Sequence, residues 1–245
     1  KVILVDFWTY SCINCQRTIP YLNQWHEKYK DKGLLIIGVH TPEFEFEKSR
    51  ENVQKAIKKY GIKYPVVQDN NYLTWRAYRN RFWPRKYLID IDGFVVYDHI
   101  GEGAYAETEK KIVELLEERN EVLGLNISVN ARDVETEEGS IFPADLTSEI
   151  YFGYAYARDQ MGNKEGWQAD KEVNYLLPSE FEKDKFYLEG LWKNNVDNIG
   201  LSESEGKIIL NFTAKDVFFV AGSSVLQSIQ VFVDGKTYKN VTIDS

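Results

Sequence analysis

The sequence predicts an α/β domain with a central sheet, followed by an all-β domain of the jelly-roll or sandwich class. The first half alternates short apolar runs with segments of helical periodicity, which is typical of a sheet covered by helices. The second half carries aromatic residues in short alternating runs at intervals of about ten residues, as in β-sandwiches. With 245 residues, 43% of them hydrophobic, the chain is long enough to bury two cores.

The elements of the first domain follow from these patterns. Three helices are predicted: one through Ile19 and Tyr29 that ends at Gly33, one over Glu47–Tyr60, and one over Ala106–Arg119. The expected strands are VILVDFW, LLIIGVH, YPVVQD, KYLID and FVVYDH, with a hairpin turn at DIDG between the last two.

The rhythm changes after EVLGLN, so we place the domain boundary near residues 122–127, with an α/β domain over 1–124 and a β domain over 125–245. The expected strands of the β domain are EIYFGYAYA, EVNYLL, KFYLEGLW, GKIILNFTA, DVFFVAG and IQVFVDGKTYKNVTI, the last with a hairpin at Asp234 and Gly235.

Charge and hydropathy exclude some partners. The net charge of −8 argues against nucleic acid and anionic membranes, which reward clustered Lys and Arg. No apolar run approaches the roughly 18 residues of a membrane span, and no signal peptide opens the sequence. Because the first residues already resemble a buried strand, we expect a fragment of a longer protein. The missing N-terminal part could hold a signal peptide, an anchor or a membrane domain, and the β domain could be truncated at its C-terminus.

Both cysteines of the chain lie in the motif Cys12-Ile13-Asn14-Cys15. If a strand ends near Trp8 and a helix begins near Cys12, the first sulfur lies where free backbone N–H groups and the helix dipole favour an anion. Cys15 lies one turn further on, close enough to attack a mixed disulfide formed at Cys12. The pattern therefore predicts a redox pair with Cys12 as nucleophile and Cys15 as resolving thiol.

Three other uses of the pair are weaker. A structural disulfide across so short a loop would constrain little chain. A zinc site would need two more ligands, and the three scattered histidines supply no recognisable second half. Covalent haem would need a histidine after the second cysteine, where Gln16 stands. Redox chemistry is therefore favoured, and no metal is expected.

The segment VDFWTYSCINC, with Pro20 in the helix that follows, resembles the thioredoxin superfamily. The helix and strand between LLIIGVH and YPVVQD resemble its TlpA-like branch. The segments DFWTYSCINCQRTIPYL, FWPRKYLIDIDG and HIGEGAYAETEKKI together resemble the soluble region of DipZ-type proteins. In that family a CcdA-related membrane domain precedes a thioredoxin-like domain and a carbohydrate-binding-module-like jelly roll.

The resemblance implies roles for individual residues. Cys12 and Cys15 would form the redox-active disulfide, with no other cofactor. Pro84 would be the cis proline beside the cysteines, with Trp83 and Tyr10 bordering a substrate groove; the alternatives are an ordinary turn and a core position. Asp6, six residues before Cys12, matches the buried acid that relays a proton to or from Cys15. The alternative for Asp6 is a strand position that faces solvent.

The aromatic β domain suggests sugar binding, because aromatic faces stack on pyranose rings. Trp192 and Trp167 are the candidates for an exposed glycan platform. Aromatic residues are also ordinary core of a sandwich, and packing is the favoured alternative for any single ring. Docking to the redox domain or to a protein substrate is a third possibility.

The leading hypothesis is an extracytoplasmic thiol-disulfide oxidoreductase that exchanges disulfides with protein partners. By resemblance it would be a reductase supplied with electrons by a CcdA- or DsbD-like membrane protein, and tethered through a membrane domain. A thiol peroxidase is an alternative, because Thr9 stands three residues before Cys12, although Val5 occupies the position where that motif has proline. A glycan- or partner-binding protein with a secondary redox domain is the other alternative.

Overall fold

The computed structural model describes residues 1–129 and 146–243. The chain forms two compact units, Lys1–Thr213 and Ala214–Ser245. Strands and helices alternate as far as Val122, whereas the described residues after 146 contain strands and one short 3-10 turn. The predicted order, an α/β region followed by a region of strands, is confirmed.

The first unit opens with a five-stranded sheet. Its strands are β1 (Val2–Trp8), β2 (Leu34–His40), β3 (Val66–Gln68), β4 (Arg85–Ile89) and β5 (Val95–Ile100), in the spatial order β3-β2-β1-β4-β5. β1 lies at the centre, parallel to β2 and antiparallel to β4. All five strands match the apolar runs of the sequence, because each run is long enough to cross the sheet and is bounded by a turn residue or a helix.

The helices of this region are α1 (Ile13–Tyr29), α2 (Arg50–Lys59), α3 (Leu73–Ala77) and α4 (Tyr105–Val122). The three predicted helices are present, and α3 is an addition that is too short for a clear periodicity. α1 and a 3-10 turn after it end at Gly33, whose φ of 114° is left-handed. α2 begins later than predicted because Ser49 is its N-cap, accepting a hydrogen bond from the N–H of Asn52.

Successive residues of β1 enter two different cores, as the alternation of a strand requires. One core contains Val2, Leu4 and Trp8, which pack with α1 and α4. The core on the other face contains Val5 and Phe7, which pack against Tyr87, Trp75 of α3 and Tyr78 just after α3. This alternation puts Asp6 on the same face as Leu4 and Trp8, beneath the start of α1.

The later part of the first unit contains β6 (Glu172–Tyr175), β7 (Lys185–Asn194), β8 (Ile199–Leu201) and β9 (Lys207–Asn211). β7 pairs antiparallel with each of the other three. The buried face of these strands forms a separate apolar cluster with Met161. In the second unit, β10 (Gln227–Val233) and β11 (Lys236–Ile243) form the predicted hairpin. Asp234 and Gly235 turn it with φ values of 49° and 75°.

Two predicted strands are wrong. EIYFGYAYA contains a 3-10 turn at Tyr154–Tyr156, whose first two N–H groups bond the carbonyls of Asn195 and Val196 in a loop. DVFFVAG has no regular structure. Both stretches have the alternating pattern of a strand, but in the structure neither belongs to a sheet.

Candidate active site

Cys12 lies at the point where the chain enters α1. It is the N-cap residue of that helix, with φ −68° and ψ 115°, and its Sγ accepts a hydrogen bond of 3.3 Å from the N–H of Cys15. A sulfur in this position faces the unpaired N–H groups of the first helical turn, which stabilise negative charge. Cys12 is partly exposed and Cys15 is buried, and both are free thiols. The arrangement gives an outside reagent access to Cys12 before Cys15.

Cys15 is held as a neutral thiol. Burial raises the pKa of Cys15 well above its ordinary value, and the neighbouring Cys12 raises it further. A hydrogen bond from the Thr9 backbone acts in the opposite direction, and the charge of Asp6 adds to the increase. A thiol with this environment needs a base before it can act as a nucleophile.

Asp6 is the acid in the interior beneath the two sulfurs. It is 1% exposed, and its Oδ1 has no hydrogen-bond partner among the described residues. Burial raises the pKa of Asp6 from 3.8 to about 7, against the lowering effect of the Lys86 charge. The predicted buried position is correct, and the solvent-facing alternative is wrong.

Lys86 is a residue of this site that the sequence analysis missed. It lies opposite Asp6 in the β1–β4 ladder, is fully buried, and donates from Nζ to the carbonyl of Gly101 at 3.1 Å. Burial lowers the pKa of Lys86, while the charges of Asp6 and Cys15 raise it. Tyr64 is a second missed neighbour, since burial and the charges of Asp6 and Cys15 raise its pKa. Asp6, Lys86, Cys15 and Tyr64 are therefore an electrostatically linked interior cluster.

The loop before β4 borders the site. The Trp83–Pro84 peptide bond is cis, as the resemblance implied. Trp83 is partly buried and donates from Nε1 to the carbonyl of Thr41 at 3.0 Å, while its ring lies 4.2 Å from that of Trp75. The carbonyl of Pro84 accepts a hydrogen bond from Gly101. The Trp83 indole thus connects this loop to the loop that follows β2.

Glu47 fixes the residue next to Cys12. Its carboxylate is fully buried; Oε1 accepts from the hydroxyl of Ser11 at 2.5 Å, and Oε2 accepts from the N–H groups of Glu43 and Phe44 at 2.6 and 3.0 Å. Buried carboxylates with several donors of this kind are rigidly held. Sequence reasoning missed Glu47, because the alternation EFEFEK resembles an exposed acidic face.

Tyr10 and His40 form an aromatic pair next to the redox motif in the fold. Tyr10 is partly buried, stacks on His40 with ring centroids 5.6 Å apart, and donates its hydroxyl hydrogen to the carbonyl of Phe46 at 3.2 Å. Thr9 is fully buried, with its hydroxyl 3.4 Å from Nε2 of His40. Burial lowers the pKa of His40 to about 4, so this imidazole is neutral at physiological pH.

The two tryptophans suggested for a glycan platform differ in how deeply they are buried. Trp192 is only 7% exposed and packs in the core of β6–β9, with Nε1 bonded to the carbonyl of Glu189. A ring with this burial has no free face for a sugar, so the prediction for Trp192 is corrected. Trp167 is partly buried against the same cluster, and its role stays a prediction.

In residues 1–129 and 146–243, no helix has the length and apolar character needed to cross a membrane. Within the same ranges, no group of three or more His, Cys, Asp or Glu side chains is arranged to hold a metal ion.

Comparison with known proteins extends this description to the whole chain. Residues 1–98 match the AhpC/TSA family, and residues 147–245 match the family described as thioredoxin like C-terminal domain. Over 237 residues the chain is 40% identical to the protein DipZ of Mycobacterium tuberculosis, covering 96% of this chain and 33% of DipZ. The chain thus spans about a third of the length of that relative.

Two further relatives match the α/β region. The thiol-disulfide oxidoreductase ResA of Bacillus thuringiensis is 33% identical over 109 residues, covering 44% of this chain and 60% of ResA. The crystal structure of a thiol:disulfide interchange protein from Chlorobium tepidum is 24% identical with a TM-score of 0.42, covering 47% of this chain and 80% of that one.

Proposed function

Because this chain combines a thioredoxin-like AhpC/TSA domain with a thioredoxin like C-terminal domain, we propose that it is a thiol-disulfide oxidoreductase acting through Cys12 and Cys15. The observation that supports this most is the pair itself: an accessible sulfur at a helix N-terminus, one turn from a buried thiol above an acid. Its redox group is the Cys12–Cys15 disulfide, without a further cofactor.

In the first step the Cys12 thiolate attacks one sulfur of a partner disulfide. A bond forms between Cys12 and that sulfur, the partner's own S–S bond breaks, and its second sulfur leaves as a thiolate that takes a proton. The helix N-terminus stabilises the attacking anion, since the N–H of Cys15 already donates to Sγ of Cys12.

In the second step Cys15 attacks Sγ of Cys12 and releases the partner's first sulfur as a thiol. Two electrons have then passed to the partner, and the pair has become a disulfide. Cys15 must first lose its proton, which its raised pKa opposes. Asp6 is the proposed acceptor, because its pKa of about 7 lets its carboxylate take a proton and return it near neutral pH.

We further propose that the protein works as a reductase outside the cytoplasm, and receives its electrons from a CcdA- or DsbD-like membrane protein. The support is the 40% identity to DipZ over 96% of this chain. Tethering to the membrane belongs to the same proposal. Glycan binding by the β region rests on Trp167 alone and is the weaker proposal.

Trapping tests the reaction. The reduced Cys15→Ser variant, mixed with a disulfide-containing protein, should accumulate a covalent complex through Cys12 that dithiothreitol releases. The wild-type chain should pass through this complex without accumulating it, and Cys12→Ser should form none. Equal complex formation by the Cys12→Ser and Cys15→Ser variants, or normal disulfide reduction by Cys12→Ser, would show that the assignment is wrong.

A further inference from the structure

A continuous set of aromatic rings begins at Tyr10, two residues before Cys12, and extends to residues that precede β6. Neighbouring ring centroids lie 6.1 Å apart for Tyr10 and Phe46, 5.6 Å for Phe46 and Phe44, 6.5 Å for Phe44 and Tyr156, and 5.5 Å for Tyr156 and Tyr151. These five residues are called the aromatic strip below. Each spacing is within the range of direct ring contact.

The middle of the aromatic strip is open to solvent. Phe46 is 45% exposed and Tyr156 is 39% exposed, and Phe44 between them is partly exposed. Exposed aromatic side chains that touch one another are a typical feature of protein-binding surfaces, whereas isolated ones are common everywhere.

The contacts across the strip are specific. The Tyr156 hydroxyl donates to the carbonyl of Glu43 at 3.3 Å, and the Tyr151 hydroxyl lies 2.9 Å from Oε1 of Glu43. Asp197 accepts a hydrogen bond of 3.0 Å from the N–H of Glu45. Residues after position 146 therefore hold the same short segment that carries Phe44 and Phe46.

This segment is also fixed to the redox motif. Glu47 accepts from Ser11, the residue before Cys12, and from the N–H groups of Glu43 and Phe44. At the same end of the strip, Tyr10 lies two residues before Cys12 and bonds the carbonyl of Phe46. A molecule lying along the strip would thus have one end near the partly exposed Cys12.

Charge indicates which molecule fits. The acidic groups at the strip are Glu45, Glu149 and Asp197, together with Glu43, whose pKa burial raises to about 7. The basic ones are Lys48, paired with Glu45, and Arg158, which lies over the Tyr151 ring. The acids outnumber the bases, so the surface complements a segment that carries Lys or Arg.

We propose that the aromatic strip binds an extended segment of the disulfide-bearing protein partner, with aromatic residues next to its cysteine and Lys or Arg beyond them. Tyr156 and Tyr151 would then make the residues between position 146 and β6 part of the substrate site. The inference rests on the proposed thiol-disulfide exchange at Cys12, and it adds the recognition that selects a partner.

The experiment compares two synthetic peptides, each with one cysteine joined to glutathione by a disulfide. In the first the cysteine is flanked by Phe and then Lys on both sides; in the second it is flanked by Gly and then Glu. The rate constants for reaction with the reduced chain are measured by stopped-flow fluorescence. Wild type should prefer the Phe/Lys peptide by roughly tenfold, and Tyr156→Ala and Phe46→Ala should each reduce this preference by roughly threefold or more.

Tyr238→Ala is the matched control, since Tyr238 is an exposed tyrosine outside the strip and its loss should keep the preference. Oxidised glutathione is the second control, because it is too small to cover the strip and should react equally with all variants. Equal rates for the two peptides, or an unchanged preference in both strip variants, would overturn the inference while leaving the exchange reaction intact. Displacement of the Phe/Lys peptide by soluble oligosaccharides would also overturn it and assign the strip to glycan. Failure of the wild type with every disulfide would instead overturn the proposed function, and the inference with it.

Discussion

Replacing Asp6 by Asn should abolish a large part of the pH dependence of folding stability. The substitution keeps the size of the side chain and removes its ionisation. Asp6 is 1% exposed, and burial raises its pKa from 3.8 to about 7. The unfolded chain therefore loses this proton near pH 4, whereas the folded chain keeps it until about pH 7.

The direction of the pH dependence follows from the order of these two pKa values. A group whose pKa is raised by folding favours the folded state fully below its unfolded pKa, and that contribution is lost as the pH rises through its folded pKa. Each pH unit between the two values corresponds to about 1.36 kcal/mol, so 3.8 to about 7 corresponds to about 4 kcal/mol. Wild type should therefore lose about 4 kcal/mol relative to Asp6→Asn between pH 4 and pH 8.

Urea unfolding of the reduced proteins at a series of pH values measures this difference. Trp8 and Trp25 are almost fully buried in the same core, so tryptophan fluorescence reports on the relevant region. Asp92→Asn is the matched control, because Asp92 is exposed and its replacement should leave the pH profile unchanged. If the profiles of wild type and Asp6→Asn stayed parallel within about 1 kcal/mol, the buried acid would not titrate near neutrality. Its role as acceptor of the Cys15 proton would then be refuted.

Three further predictions concern Glu47, Lys86 and Gly153. Glu47→Gln should lower the unfolding free energy by about 1 to 3 kcal/mol through weaker acceptance of its buried donors, whereas the exposed Glu51→Gln should change it by less than about 0.5 kcal/mol in the same urea assay. Lys86→Met should raise the pKa of Asp6 above about 7, because the Lys86 charge lowers it; carboxyl NMR titration would contradict this if the pKa fell or did not move. Gly153→Ala would put Cβ 2.4 Å from facing backbone and should cost about 1 to 3 kcal/mol, and a thermal midpoint equal to wild type would refute the crowding.

The redox pair and its surroundings were predictable where the information is local. The run VILVDFW, the start of α1 and the stop at Gly33 determine where Cys12 lies, and each depends on residues close together in the chain. Burial of Asp6 also follows locally, because its neighbours on both sides are apolar and the strand is buried on both faces.

The remaining site residues were hidden because they depend on pairing between distant segments. Lys86 faces Asp6 only through the register of β4 against β1. One of the donors to the buried carboxylate of Glu47 comes from Ser11, 36 residues earlier in the chain. Trp192 was misassigned since a strand sequence does not tell which of its two faces is covered.

The central position of β1 determines which parts of the site can adapt to a partner protein. The strand is hydrogen-bonded to neighbours on both edges and covered on both faces, so the stretch leading to Cys12 is a rigid part of the fold. The loop carrying Trp83 is held by a side-chain hydrogen bond to the carbonyl of Thr41 instead. Adjustment to partners of different shape therefore falls to this loop, while the reacting sulfur keeps its position relative to the sheet.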